Sequence, residues 1–197
     1  MLALALSGCA GGGARDALKG RAPAGAAYVG HLSMTEPFPD RAPNAFRFRA
    51  PAGHVMLVYF GFVSCPDICP TTLSDVRKAL RALGDDSSRV DLAFVTVDPQ
   101  RDTPEVIGPY VRSFVPAGHA LRPVTQSELG RVQAAFGATS SVTKKADGEI
   151  NVSHTAVTYV VDANGKVLVE WPFGTPSADM IHDLRILLPS RKGAPAS

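Results

Sequence analysis

Cysteine, long apolar runs and excess charge of one sign are all scarce in this 197-residue chain, and each scarcity closes a class of function. Three cysteines are too few for a disulfide framework, so each needs its own explanation. The longest nearly unbroken apolar run, Val55 to Val63, has nine residues; an internal membrane-spanning helix needs about 20. Lys and Arg total 20 against 18 Asp and Glu, a net charge of +2, with no basic stripe to neutralise a run of phosphates. That argues against nucleic-acid binding. The chain is nevertheless 45% apolar, enough for one well-buried core and too apolar for wholesale disorder.

The first cysteine reads as an address. Leu6-Ser-Gly-Cys9 closes a short apolar stretch from Met1 and is similar to the lipobox of bacterial lipoproteins, in which the cysteine is lipidated. A signal peptide opens on a basic segment, and no Lys or Arg precedes Arg15, so residues 1–9 are expected to be the remainder of a signal whose start lies upstream. Of residues 10–27, seven are Ala and five are Gly, a composition expected to form a flexible tether with an r.m.s. reach of roughly 20–25 Å. These features lead to the expectation of a protein in the bacterial cell envelope, on the periplasmic side of a membrane and anchored through Cys9.

One domain is expected over residues 28–190, followed by a short tail, 191–197. Phe46 to Arg49 alternates like a half-exposed strand, and Val55 to Phe60 is continuously apolar, as suits a strand covered on both faces. Leu73, Val76, Leu80 and Leu83 mark a helix from about Pro70 to Ala82. Val90 to Val97 reads as a second buried strand, with helices over Pro104 to Phe114 and Gln126 to Phe136. Thr155 to Val161 and Lys166 to Trp171 read as strands of a hairpin turning at Asp162-Ala-Asn-Gly165, before a last helix from Ser177 to Leu188. This order predicts an α/β, thioredoxin-like fold: a central mixed sheet flanked by helices, closing with a C-terminal β-hairpin and helix. The cysteine loop then lies at the carboxyl end of a central strand, where open α/β sheets place ligands.

Tyr59-Phe-Gly-Phe-Val-Ser-Cys65-Pro-Asp-Ile-Cys69-Pro70 sets two thiols four positions apart, between a buried strand and an amphipathic helix. Pro70 suits the first helical position, which makes Cys69 the start of the helix. The helix dipole is then expected to lower the pKa of at least one sulfur. A three-residue gap lets both sulfurs converge on one ion, and it also permits a reversible disulfide. Of five histidines, His31, His54, His119 and His182 read as solvated or structural. His154, at the threshold of a strand, could lean over the sheet end towards the thiols; its position alone leaves a ligand role open. Asp102 and Thr103 read as caps of the helix at Pro104, Asp67 and Asp98 stay open between tuning the site and shaping loops, and Trp171 and Phe173 read as core.

The cysteine segment, Val97-Asp-Pro-Gln-Arg-Asp-Thr-Pro-Glu105, and His154-Thr with Tyr159 and the Asp162 turn together resemble the three signature segments of the Sco/SenC family, in the same order. The resemblance implies a membrane-tethered, thioredoxin-like copper protein that helps to assemble the copper centre of cytochrome c oxidase. Its copper ligands fall on Cys65, Cys69 and His154. Implied partners are the copper-receiving subunit of the oxidase and other periplasmic copper carriers or thiol reductants. Two soft sulfurs and one imidazole agree with copper, as Cu(I) or Cu(II), and a structural zinc would want a fourth protein ligand. The competing reading is a thiol–disulfide oxidoreductase or peroxidase-like enzyme using Cys65 and Cys69, since Phe62-Val-Ser-Cys-Pro66 also resembles a peroxiredoxin loop.

Overall fold

The computed structural model describes residues 17–23 and 28–188; Cys9, the rest of the expected tether and the tail 191–197 lie outside them. A five-stranded mixed sheet forms the centre, in the order β5-β4-β3-β8-β9. Strands β3 (Val55–Gly61), β4 (Val90–Thr96) and β5 (His119–Leu121) are parallel, while β8 (Val157–Val161) and β9 (Val167–Pro172) run antiparallel to their neighbours. Every residue of β3 is buried, which explains its uninterrupted apolar run. Among the described residues, no helix is long and apolar enough to cross a membrane.

Both faces of the sheet are covered. Helices α1 (Ile68–Ala82), α2 (Pro104–Phe114) and α4 (Ser177–Leu187) lie over the face that carries Tyr59, Phe94 and Trp171, with Tyr110 edge-on to Phe94 and Asp183 bonded to Trp171. Helix α3 (Gln126–Phe136) covers the other face, where Phe136 stacks edge-on against Phe48, Phe60 and Tyr159. Such buried aromatic pairs contribute about 0.5–1.5 kcal/mol beyond their area. The hairpin turn expected at residues 162–165 is present: the Asp162 carboxylate accepts from the Asn164 and Lys166 N–H groups. Gly165 has φ of +82°, and a Cβ there would stand 2.3 Å from Gly30 Cα, so a side chain is excluded twice over.

Several features differ from the sequence-based expectations. The strand near Phe46 runs from Asn44 to Arg47 (β2) and pairs with an unpredicted β1, Ser33–Glu36. A second hairpin, β6 (Ser140–Lys144) with β7 (Ile150–His154), occupies the expected loop, and β8 starts two residues later than expected. Helix α1 opens at Ile68, so Pro70 takes the third helical position; its missing N–H costs nothing in a first turn whose donors have no partner within the helix. Within the stretch expected to be a tether, residues 17–23 run along the free edge of β9, where Arg21 pairs antiparallel with Glu170.

Candidate metal centre

The carboxyl end of β3 leads into the loop carrying Cys65, and α1 begins within the same loop. Both cysteines are free thiols. The Cys69 N–H, in the first turn of α1, points at the Cys65 sulfur at 3.3 Å. Cys65 therefore occupies the place of a helix-capping acceptor, where the positive end of the helix dipole acts. Cys69 lies inside the helix with its sulfur fully buried against the strand end: a Cβ on Gly61 would stand 3.0 Å from Cys69 Sγ and from the Phe94 ring.

Burial consequently overrides the dipole at Cys69. Desolvation pushes its thiol up to about 12, although a hydrogen bond from the Phe62 backbone pulls the other way. Cys69 is therefore not a sulfur whose pKa the helix start lowers. The sequence showed the helix start but not which sulfur would face its open end. At neutral pH Cys69 is a thiol, and a metal ion bound there displaces a proton.

His154 closes the triangle as the last residue of β7, not the threshold residue of β8. Its Nε2 lies 3.6 Å from Cys69 Sγ, and its Nδ1 is 3.2 Å from the Thr155 carbonyl oxygen. A carbonyl only accepts, so Nδ1 carries the proton and Nε2 turns its lone pair towards the sulfurs. Burial lowers the imidazole pKa, which keeps the ring neutral and able to ligate. The rings of Tyr59 and Phe62 stand edge-on to His154, each with centroids 5.9 Å away, and hold its plane. Below it, Thr155 and Thr139 exchange two bonds: Thr139 N–H to Thr155 Oγ1, and Thr155 N–H to the Thr139 carbonyl.

One donor atom each from Cys65, Cys69 and His154 lies within 4.8 Å of the other two, and among the described residues they form the single such cluster of His, Cys, Asp or Glu. Two sulfurs and one imidazole fit a soft, low-coordinate ion, and a groove between Phe62, Pro66, Ile68 and Val152 opens on Cys65 and His154.

The aspartates take other roles. Asp67 is exposed, bonds the Thr71 hydroxyl at 3.2 Å and shapes the first turn of α1. Asp98 is buried and ion-paired with Arg101, whose guanidinium sits 6.0 Å over the Phe62 ring. Asp102 does not cap α2. Its buried carboxylate accepts the Val63 N–H at 3.1 Å and the Thr96 hydroxyl at 2.6 Å, tying the cysteine loop to β4; burial raises its pKa. Thr103 holds the cap position of α2 without a capping bond from its side chain. Trp171 is core as expected, whereas Phe173, just past the end of β9, is 45% exposed.

A family model described as SCO1/SenC matches residues 37–188, a span that contains all three candidate ligands and the whole central sheet. The chain belongs to the SCO1/SenC family. Within that family, a SCO2-like protein of Rickettsia typhi is 30% identical over 162 residues, covering 80% of this chain and 79% of its own length. The apo Sco1 protein of Thermus thermophilus, known from solution structures, superposes with a TM-score of 0.70 at 28% identity, over 88% of this chain and 98% of that one. The ScoI protein of Bradyrhizobium japonicum, solved with copper bound, gives 0.65 at 27% identity over 78% and 96%. These SCO1/SenC relatives agree with the thioredoxin-like α/β fold expected from the order of elements.

Proposed function

We propose that this SCO1/SenC protein is a copper carrier, held by a lipid on Cys9 at the periplasmic side of a bacterial membrane, that serves the copper-receiving subunit of cytochrome c oxidase during assembly. The observation that carries this reading is the meeting of Cys65, Cys69 and His154 within 4.8 Å. The copper-bound ScoI relative supports copper as the cargo. In this reading Cys65 and Cys69 hold the ion as thiolates and His154 supplies the third donor through Nε2. Three donors leave a coordination position open for a thiolate or imidazole of the receiving protein, so transfer proceeds by ligand exchange at the mouth of the groove.

The unequal burial of the two thiols favours a second activity on the same pair. Cys65 is half-buried and faces the groove, while Cys69 is enclosed. In that activity the Cys65 thiolate attacks a disulfide of the target and one target sulfur leaves as a thiol. Cys69 then attacks the mixed disulfide, leaving a Cys65–Cys69 disulfide and a fully reduced target. This pathway prepares the receiving thiols and has no use for His154.

Copper uptake by the full chain tests the carrier reading. The reduced protein is expected to bind one copper per chain, and Cys65→Ser, Cys69→Ser and the Cys65–Cys69 disulfide form are each expected to lose it. Equal uptake by the oxidised protein would overturn the assignment.

A further inference from the structure

Residues 17–23 form a strap docked on the outer edge of β9 and on α4. Asp183 on α4 is fully buried, and two of its hydrogen bonds come from the strap: the Lys19 N–H reaches Oδ1 at 2.7 Å and the Gly20 N–H reaches Oδ2 at 2.9 Å. Trp171 Nε1 and His182 Nδ1 complete the set at 2.9 and 3.2 Å. Burial alone would raise the Asp183 carboxyl, but these bonds hold it below its ordinary value. Without the strap, a buried carboxylate would lose both main-chain donors, which makes undocking costly. Gly20 fits because it has no side chain: a Cβ there would stand 2.4 Å from Val169 Cγ2 and 2.6 Å from Trp171 Cδ1. Arg21 exchanges both main-chain bonds with Glu170 at 3.0 Å, and its Nε pairs with Glu170 Oε2 at 2.7 Å.

The register of the sheet shows which end of the molecule the strap reaches. Tyr59 pairs with Thr158 and Thr158 with Trp171, so the carboxyl ends of β3 and β9 are level. Arg21 pairs with Glu170, while Tyr28, further along the chain, pairs with Lys166 at the opposite end of β9. The chain therefore joins the fold at the end that carries Cys65, Cys69 and His154. If residues 17–23 were free, its first fixed point would be the Tyr28–Val29 step beside the Gly165 turn, about 13 Å away along β9 at ~3.3 Å per residue. The exposed Phe173 ring lies at the strap end as well.

We infer that the strap turns the metal-site end of the domain towards the membrane, an inference that rests on the proposed lipid at Cys9. Eight residue steps separate Cys9 from Ala17, a reach of at most ~29 Å. Docked, the strap presents the Cys65 groove to the membrane side of the molecule. Released, it lets the domain hang from its other end, with the groove facing away.

Trp171, the sole tryptophan, lies at the groove end and reports the orientation directly. The full chain, held on vesicles through a lipid on Cys9, is expected to show strong Förster transfer from Trp171 to dansyl-labelled headgroups. In Gly20→Val, and independently in Asp183→Asn, transfer is expected to fall several-fold, while amide exchange at residues 18–21 rises and the sheet stays protected. Equal transfer in the variants and the unsubstituted chain, with the strap shown to be released, would overturn the inference and leave the anchor standing. Cys9 found without lipid in cells would overturn the anchor and the natural orientation with it. The same measurement on a chain with a histidine tag replacing residues 1–9, held on nickel-chelating lipids, would then show separately whether the strap sets the orientation.

Discussion

At the scale of single residues, the site depends on two positions that do opposite things to the fold. His154 is partly buried at the end of a strand, at the rim of the apolar core. His154→Ala is expected to stay folded and to form and reduce the Cys65–Cys69 disulfide normally. It is also expected to lose at least about tenfold in Cu(II) affinity, because Cu(II) prefers nitrogen-containing surroundings, while a two-thiolate remnant retains Cu(I). Metal titration of both oxidation states checks this, and failure of the variant to support oxidase assembly separates the carrier from the oxidoreductase reading. Gly61 is the converse, since its missing Cβ is the space that Cys69 Sγ and the Phe94 ring occupy. Gly61→Ala is expected to cost about 1–3 kcal/mol in urea unfolding by overpacking and to weaken copper binding, because relief requires Cys69 to move.

Between elements, buried polar bridges set how loops sit on the sheet. Asp102 joins the cysteine loop to β4, so Asp102→Ala strands the Val63 N–H and the Thr96 hydroxyl. The expected loss is about 2–3 kcal/mol, together with faster amide exchange at Val63. The His119–Glu36 pair, 3.0 Å apart, joins β5 to β1, and its hydrogen bond raises the His119 pKa. A histidine raised on folding stabilises fully below its unfolded value near 6.5, and that contribution is lost as pH rises through the folded value. The advantage of the native protein over His119→Gln in urea midpoint is thus expected to be larger at about pH 5.5 than at about pH 8.

The whole molecule divides its labour between an anchor and a site. Cys9→Ser in the full chain is expected to release the protein from membranes and to leave copper uptake unchanged, as membrane fractionation and copper titration would show. Loss of copper binding in that variant would mean that Cys9 takes part in the site. In the described part of the fold, the strap connects the two, because Asp183 fixes where the chain enters the sheet.

The sequence by itself determined the central strands and their flanking helices, because continuous apolar runs and helical spacing are local signals. It also located the cysteine pair at a strand-to-helix junction and the turn at residues 162–165. The β6–β7 hairpin escaped notice because its residues are polar and mostly exposed, so no alternation marks it; β5 escaped because it has three residues. Only the tertiary structure decided that His154, 85 positions after Cys69, meets its sulfur, since β8 runs antiparallel beside β3 and delivers the end of β7 to the cysteine loop. Burial of Cys69, the bridging role of Asp102 and the docking of the strap on Asp183 were likewise decided by what packs against each group. Desolvation and hydrogen bonding depend on neighbours distant in sequence, and residue spacing carries no record of them.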